Sequence, residues 1–414
     1  MANSITSSPT TTTTPTDHAS SFPTTKLPKL SILHHLDHQP LLPGLPDHIA
    51  QLCLSLVHPS SLYSVCRSWR RLIYSPSFPP YLSLYALLSS SSSSLQSAQS
   101  QSDAVDFFTF DPISSSWHLL PPPPPDPPLR VLLHHPSFIS RNLPIQSVSV
   151  SGNLILLAAT THNFLPALSH PLIFNPLSTT WALGPPLATA RRWCAAGAVR
   201  GAVYVASGMG SHFFSDTARS VEKWDLYLQD KNDGKTRNFG WMWERKSGLK
   251  DGRFSREAID AVGWRGKLCM VNVRGDAAKE GAVYDVEKDA WEEMPEGMLA
   301  GWRGPVAAMD EEVMYALDEA KGALREYVPE RDAWDNIFES ERLRGAQQMA
   351  AGGGRVCVVC PGGAGIVVVD VVASFRRSWV VDVPAGFEAV AVHILPRMNR
   401  LGFGFPVLDS MSSE

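Results

Sequence analysis

A short hydrophobic run ending in an acid, then a polar turn, then a tryptophan that opens a second run closed by proline fills residues 282–295 and returns along the chain. There it reads Ala282-Val283-Tyr284-Asp285, the turn, Trp291 and Pro295. Phe108-Thr109-Phe110-Asp111-Pro112 leads in the same way to Trp117 and Pro121, and Leu172-Ile173-Phe174-Asn175-Pro176 leads to Trp181 and Pro185. These three copies keep one spacing from Asp or Asn to Trp. Weaker copies run from Trp224-Asp225 across an insertion to Trp243, from Tyr327-Val328 to Trp334, and from Val369-Asp370 to Trp379. The six tryptophans mark a period of roughly 45 to 60 residues, which belongs to repeat architectures.

Upstream of most copies lie two further hydrophobic runs around a tight turn, as in 195–199, Arg200-Gly201 and 202–207, or 258–262, Trp264-Arg265-Gly266 and 267–273. Each repeat is therefore four short strands. One four-stranded sheet cannot bury both of its faces, whereas radial stacking gives every sheet two neighbours and leaves only short edges. An ordinary β-sandwich with scattered tryptophans is the competing reading. The first repeat lacks an upstream strand of its own, and residues 387–395 form a spare alternating run after the sixth tryptophan. Pairing the two would close a ring of six blades. With Gly208 and Gly210 paired in one repeat, and with the tyrosine, acid and tryptophan positions, the units resemble kelch repeats, although the double glycine nearly survives only at that one place.

Ahead of the repeats, Pro46 suits a first helical position and Asp47 the positive end of a helix dipole. A helix from there sets Ile49, Leu52, Cys53 and Leu56 on one apolar face. Pro59 ends it, and Ser60 or Ser61 starts a second helix carrying Leu62 and Val65, with Trp69, Leu72 and Ile73 continuing beside Arg67, Arg70 and Arg71. So few residues cannot bury that much apolar surface alone. Leu45-Pro46 followed by Val65-Cys66-Arg67-Ser68-Trp69-Arg70 resembles an F-box, and together with the degenerate repeats the chain resembles the plant F-box/kelch-repeat proteins. The fold expected is mainly β: a six-bladed kelch-type β-propeller over 81–396, preceded by a small α-helical F-box over 39–80, with a disordered Ser/Thr/Pro-rich tail over 1–38 and a C-terminal tail over 397–414. The resemblance implies a substrate-recognition subunit of an SCF (cullin-RING) ubiquitin ligase. In such a complex the F-box holds a Skp-type adaptor, here through Leu45, Pro46, Ile49, Leu62, Val65 and Trp69, and the propeller holds a protein substrate.

A net charge of -4 over 414 residues points neither to nucleic acid nor to an anionic membrane. No apolar run has the length of a membrane span, and the localisation expected is cytoplasm, nucleus or both. The six cysteines lie in apolar patterns, as buried thiols do. Cys357 and Cys360 sit in a strand pattern that points them to opposite faces, with no second pair to complete a zinc site. His34, His35 and His38 cluster in the tail without a rigid frame. The Gly-rich stretches at 352–354 and 361–365 lead to no Gly-Lys-Ser/Thr and read as hairpin turns. The 121–128 proline run reads as a stiff spacer and 229–238 as a solvated loop. No catalytic residue, cofactor or metal is expected. The alternatives are a propeller enzyme resembling copper-radical oxidases, which needs a Tyr/His/Cys constellation where histidines are few (His162, His170, His212, His393), and a non-ligase interaction scaffold.

Arginines recur just before the first strand of successive repeats: Arg192, Arg256, Arg303 and Arg344. Equivalent positions in stacked blades lie at equivalent radii, so these should ring one mouth of the channel, with Trp193, Phe254 and Trp302 as stacking partners. Arginine forks hold carboxylates and phosphates. The resemblance to kelch receptors that use such arginines implies an acidic or phosphorylated degron. Pairing of each arginine with an acid of a neighbouring blade is the alternative.

Overall fold

The computed structural model describes residues 40–57, 59–73, 75, 78, 81–90, 102–124, 130–132, 145–160, 165–229, 236–239, 241–255, 259–272 and 280–398. Two compact units are distinguished, Met1–Ala50 and Gln51–Glu414. Helix α1 (Asp47–Ser55) spans their boundary, followed by α2 (Pro59–Val65) and α3 (Arg67–Ile73). The tail, with His34, His35 and His38, lies outside the described residues.

Residues 82–396 build six antiparallel sheets arranged as the blades of a β-propeller. In blades 2 to 6 the innermost strands are Ile145–Val150, Ala195–Val199, Ile259–Trp264, Val306–Met309 and Gln348–Gly352. Blade 1 borrows its innermost strand from the far end of the sequence. Phe387–Pro396 pairs with Leu82–Ser90, from Leu82 opposite Pro396 to Ser90 opposite Phe387. The spare run thus closes the ring as its alternation predicts, and no blade is left with an open inner edge. Arg397 and Met398 continue the packing, both buried, and the Arg397 amide donates to the Tyr81 carbonyl at 2.7 Å.

The recurring residues explain how blades hold each other. The acid or amide caps its own turn: Asp111 Oδ1 accepts from the Ile113 amide, Asn175 Oδ1 from Leu177, Asp285 Oδ1 from Glu287 and Asp370 Oδ1 from Val372. The aromatic before it lies directly across the sheet from the tryptophan in Phe110–Trp117, Phe174–Trp181, Tyr284–Trp291 and Tyr327–Trp334, with ring centroids 5.1 to 5.3 Å apart. Blade 3 reaches the same pairing across its insertion, Trp224 to Trp243 at 5.5 Å. Each of these tryptophans then donates its indole N–H backwards to a carbonyl at the end of the preceding blade. Trp181 reaches Pro121, Trp243 reaches Pro185, Trp291 reaches Ser247, and Trp334 reaches Gly297 and Met298. Two helices, α4 (Ser215–Arg219) and α5 (Glu296–Gly301), sit in the connections, and α5 presents those last two carbonyls.

A second stitch accompanies the indole in two blades. The Tyr284 hydroxyl donates to Asp289, whose carboxylate also accepts the Ser247 amide at 2.9 Å. The Tyr327 hydroxyl donates to Asp332 at 2.7 Å, and Asp332 accepts the amides of Gly297 and Met298. These donors hold both carboxyls below the usual range, the tyrosine hydroxyl foremost. Close approach also demands glycine: a Cβ at Gly263 would stand 1.7 Å from the Ala198 carbonyl oxygen, where the inner strands of blades 3 and 4 run together.

Two expectations fail for reasons of register and pairing. In blade 6 the residue across from Val369 is Ser378, and Trp379 lies across from Val368. Trp379 is therefore one residue out of step with the other tryptophans and faces the other side of its sheet. The 229–238 segment is no simple loop, since Tyr227–Gln229 pairs with Thr236–Phe239 as a separate hairpin.

Candidate functional site

The six innermost strands enclose a channel of about 530 Å³ lined largely by Ala, Val, Gly and Ser. His393, on the closing strand, reaches across to blade 2: its Nε2 lies 2.8 Å from Ser147 Oγ and its Nδ1 3.0 Å from Ser149 Oγ. Burial pushes its pKa down to about 4, so the ring is neutral near pH 7. Its partners are hydroxyls, not the Tyr/His/Cys set that a copper-radical site would use.

The two ends of the channel differ. At one end the hairpin tips of blades 3, 4 and 5 are knitted together. The Arg200 amide donates to both Glu311 carboxylate oxygens at 2.9 and 2.8 Å, the Arg265 amide donates to the Glu311 carbonyl at 2.7 Å, and ion pairs join Arg200 to Glu287 and Arg265 to Glu312. At the other end lie the loops that enter the inner strands, which carry Arg192, Arg303 and Arg344.

Among these, Arg192 is the most constrained. Its backbone bridges to Met209 by two 2.9 Å hydrogen bonds, and its guanidinium stacks 4.1 Å from the Trp193 ring. It is only 6% exposed, yet its Nε and Nη1 have no hydrogen-bond partner among the described residues. Desolvation lowers its pKa. Trp193 adopts a left-handed φ of 53°, which a bulky side chain rarely accepts. Gly208, whose Cβ would press on Arg192 and Cys194, allows the bridge.

The neighbouring Arg191, passed over by sequence reasoning, has the opposite character. It is fully buried, ion-paired with Glu222, and donates to Ser207 O at 3.1 Å and Ser220 Oγ at 2.8 Å. It locks the entry loop of blade 3 to the blade itself. Only the pairing, invisible in sequence, separates the two.

Arg303 is exposed, with its Nε 3.3 Å from the Ala300 carbonyl, and Arg344 is exposed and ion-paired with Glu341 of its own loop at 2.9 Å. Arg256 lies outside the described residues. Trp302 is fully buried in the core between blades 4 and 5, its indole 3.4 Å from Asp260 Oδ2, and Phe254 is buried between blades 3 and 4. Both sit in the core and not at the mouth.

In the helical region the Pro46 carbonyl accepts the Ile49 and Ala50 amides, and Asp47 Oδ1 accepts the Leu41 amide at 3.2 Å. Leu62, Leu72 and Ile73 are buried and Trp69 is half-buried. Arg70 stacks over the Tyr63 ring at 4.7 Å and donates to its carbonyl. Large apolar side chains remain in solvent: Leu45 at 39% exposure, Ile49 at 38%, Leu52 at 65%, Leu56 at 89% and Val65 at 57%. The stripe marked as apolar in the sequence is thus turned largely outward.

No family model matches the chain. A curated relative, the F-box/kelch-repeat protein SKIP25 of Arabidopsis thaliana, is 54% identical over 373 residues, covering 89% of this chain and 92% of that protein. The chain belongs to the F-box/kelch-repeat family. More distant relatives from the same plant are the F-box protein AFR, 25% identical over 64% of this chain and 65% of its own, and the F-box/kelch-repeat protein SKIP4, 24% identical over 73% and 76%. For an F-box/kelch-repeat protein, helices ahead of a six-bladed propeller are the expected order of parts.

Proposed function

We propose that this protein is the substrate-recognition subunit of an SCF (cullin-RING) ubiquitin ligase, and not itself an enzyme. Residues 39–80 act as the F-box and take a Skp-type adaptor, and through it a cullin. The observation that carries this reading is the exposure of Leu52, Leu56 and Val65, large apolar side chains grouped on one short helical segment, the kind of grouping that marks interaction sites. Leu45, Pro46, Ile49, Val65 and Trp69 contact the adaptor, and Leu62 supports them from inside. Buried interface anchors cost about 2 kcal/mol or more on truncation. Leu45→Ala combined with Pro46→Ala therefore abolishes adaptor pull-down while the propeller still melts cooperatively. Retained pull-down by the folded double variant sinks the assignment.

The substrate enters at the propeller mouth carrying Arg192, Trp193, Arg303 and Arg344. An acidic or phosphorylated degron suits it, because Arg192 holds two buried donors without acceptors, and burying unpaired donors is costly. Trp302, being buried, takes no part. Arg192→Ala weakens substrate capture, more at low salt than at high, and leaves adaptor binding intact. Unchanged capture by a charge-reversed Arg192→Glu, Arg303→Glu variant removes the acidic-degron reading. Among the described residues no helix is long and apolar enough to cross a membrane. Cytoplasm, nucleus or both are the compartments in which this role is exercised.

A further inference from the structure

The misregistered tryptophan of blade 6 shapes a second site, away from the channel. At the seam between blades 6 and 1 there is a cleft of about 700 Å³, within the size range of small-molecule sites, roughly 300 to 1,000 Å³. Blade 6 contributes Trp379 and Val368 to its walls, and blade 1 contributes Trp117, Phe110 and Leu84. Elsewhere the repeat tryptophan points back at the preceding blade. Here Trp379 faces forward and Trp117 backward, so one cleft receives two indoles and a phenyl ring. Trp379 is 41% exposed and makes no hydrogen bond through its indole among the described residues.

One cation marks one end. The Arg355 guanidinium lies 5.7 Å from the Trp379 ring centroid, and its buried Nε has no acceptor among the described residues. Arg355 makes no ion pair among the described residues. Its cross-strand neighbour Asp370 is engaged instead with the Val372 and Ala373 amides. Asp382 also borders the cleft, but it lies three residues beyond Trp379 along an extended strand, roughly 10 Å away, and marks the opposite end.

We propose that this seam binds a small planar aromatic carboxylate. The ring body stacks on Trp379 and extends toward Phe110 and Trp117, and the carboxylate accepts from the Arg355 fork, supplying the acceptor that this side chain lacks. A neutral apolar ligand would leave that donor unpaired, and a cation would face the guanidinium. Pro59, where α2 begins, also lines the cleft. An occupant therefore touches the place where helices and ring meet.

The test uses the full-length protein with 2-naphthoate and its neutral counterpart 2-naphthamide, titrated by calorimetry and by tryptophan fluorescence. Saturable one-to-one binding of 2-naphthoate is expected, with 2-naphthamide weaker. A hydrogen bond to a charged group is worth about 1.5 to 3 kcal/mol, so Arg355→Gln weakens 2-naphthoate at least tenfold and barely changes 2-naphthamide. Trp379→Ala weakens both probes, and Trp379→Phe restores part of the loss should the alanine variant melt early. Absence of saturable 2-naphthoate binding, unchanged affinity in Arg355→Gln, or equal affinity for the two probes overturns the proposal. Adaptor pull-down is independent of each outcome.

Discussion

Trp117 donates its indole N–H to the backbone carbonyl of Asp382 at 2.8 Å, joining the first blade of the ring to the last across 265 residues of sequence. It is the same bond that Trp181, Trp243, Trp291 and Trp334 make to the blades before them, so the closure is held by the ordinary repeat contact as well as by the shared strand. Trp117→Phe keeps an aromatic ring against Phe110 but removes the donor and part of the packed surface, so its cost is at least that of the bond. A net hydrogen bond is worth about 1 kcal/mol, and urea unfolding should show a loss of at least that size with an unchanged denaturant slope.

Truncation after Gly386 removes the innermost strand of blade 1 and exposes the edge of Leu82–Ser90. Because every blade leans on two neighbours, the loss should reach the whole ring and not one blade. Thermal unfolding and limited proteolysis are the measurements. A truncated protein that melts like the full chain would contradict closure by this strand.

At Gly263 a methyl group has nowhere to go, since the Ala198 carbonyl oxygen would be 1.7 Å away. Gly263→Ala must therefore push the inner strands of blades 3 and 4 apart. Overpacking of this kind typically costs about 1 to 3 kcal/mol. The same substitution at Gly386, where nothing stands within 4 Å, gives a control for steric crowding, though its positive φ adds some strain of its own.

His393 makes stability depend on pH in a window of its own. Its folded pKa of about 4 lies below the unfolded value of about 6.5, so the unfolded chain takes up the proton first. Stability from this group is complete above the unfolded value, declines as pH falls below it, and is lost once pH passes the folded value, a total on the order of 3 kcal/mol. The depressed carboxyls of Asp289 and Asp332 act in the same direction but lower, below the unfolded value of about 3.9. Unfolding midpoints measured from pH 7 to pH 3 should therefore fall in two stages, with the upper one flattened in His393→Gln and the lower one in Asp332→Asn.

Most of the ring was legible because its contacts are periodic. The residues that cap turns and bridge blades (Asp111, Asn175, Asp285 and their tryptophans) recur at fixed spacing, and the strand pattern of 387–395 had no partner except blade 1. What sequence hid was pairing and register. Asp370 and Trp379 look like one more copy, but the turn between them is longer, and a slip of one residue reverses the face of a strand. Arg191 and Arg192 are adjacent and identical in type, yet one meets Glu222 and the other meets no acid. Trp302 follows the loop rule for a rim aromatic, but α5 carries it into the core. In the helical region the apolar stripe was clear, whereas its outward orientation depends on which side Ala50 and Leu54 bury.

The Tyr85 hydroxyl donates to the Pro396 carbonyl, 311 positions later in the chain. During synthesis at about 5 to 20 residues per second, the strand that holds Tyr85 must wait roughly 15 to 60 s before its inner neighbour exists. The helices that precede it have already left the ribosome by then. Until then Leu82–Ser90 carries a bare inner edge, and it is the arrival of Phe387–Pro396 that turns an open series of sheets into a closed ring.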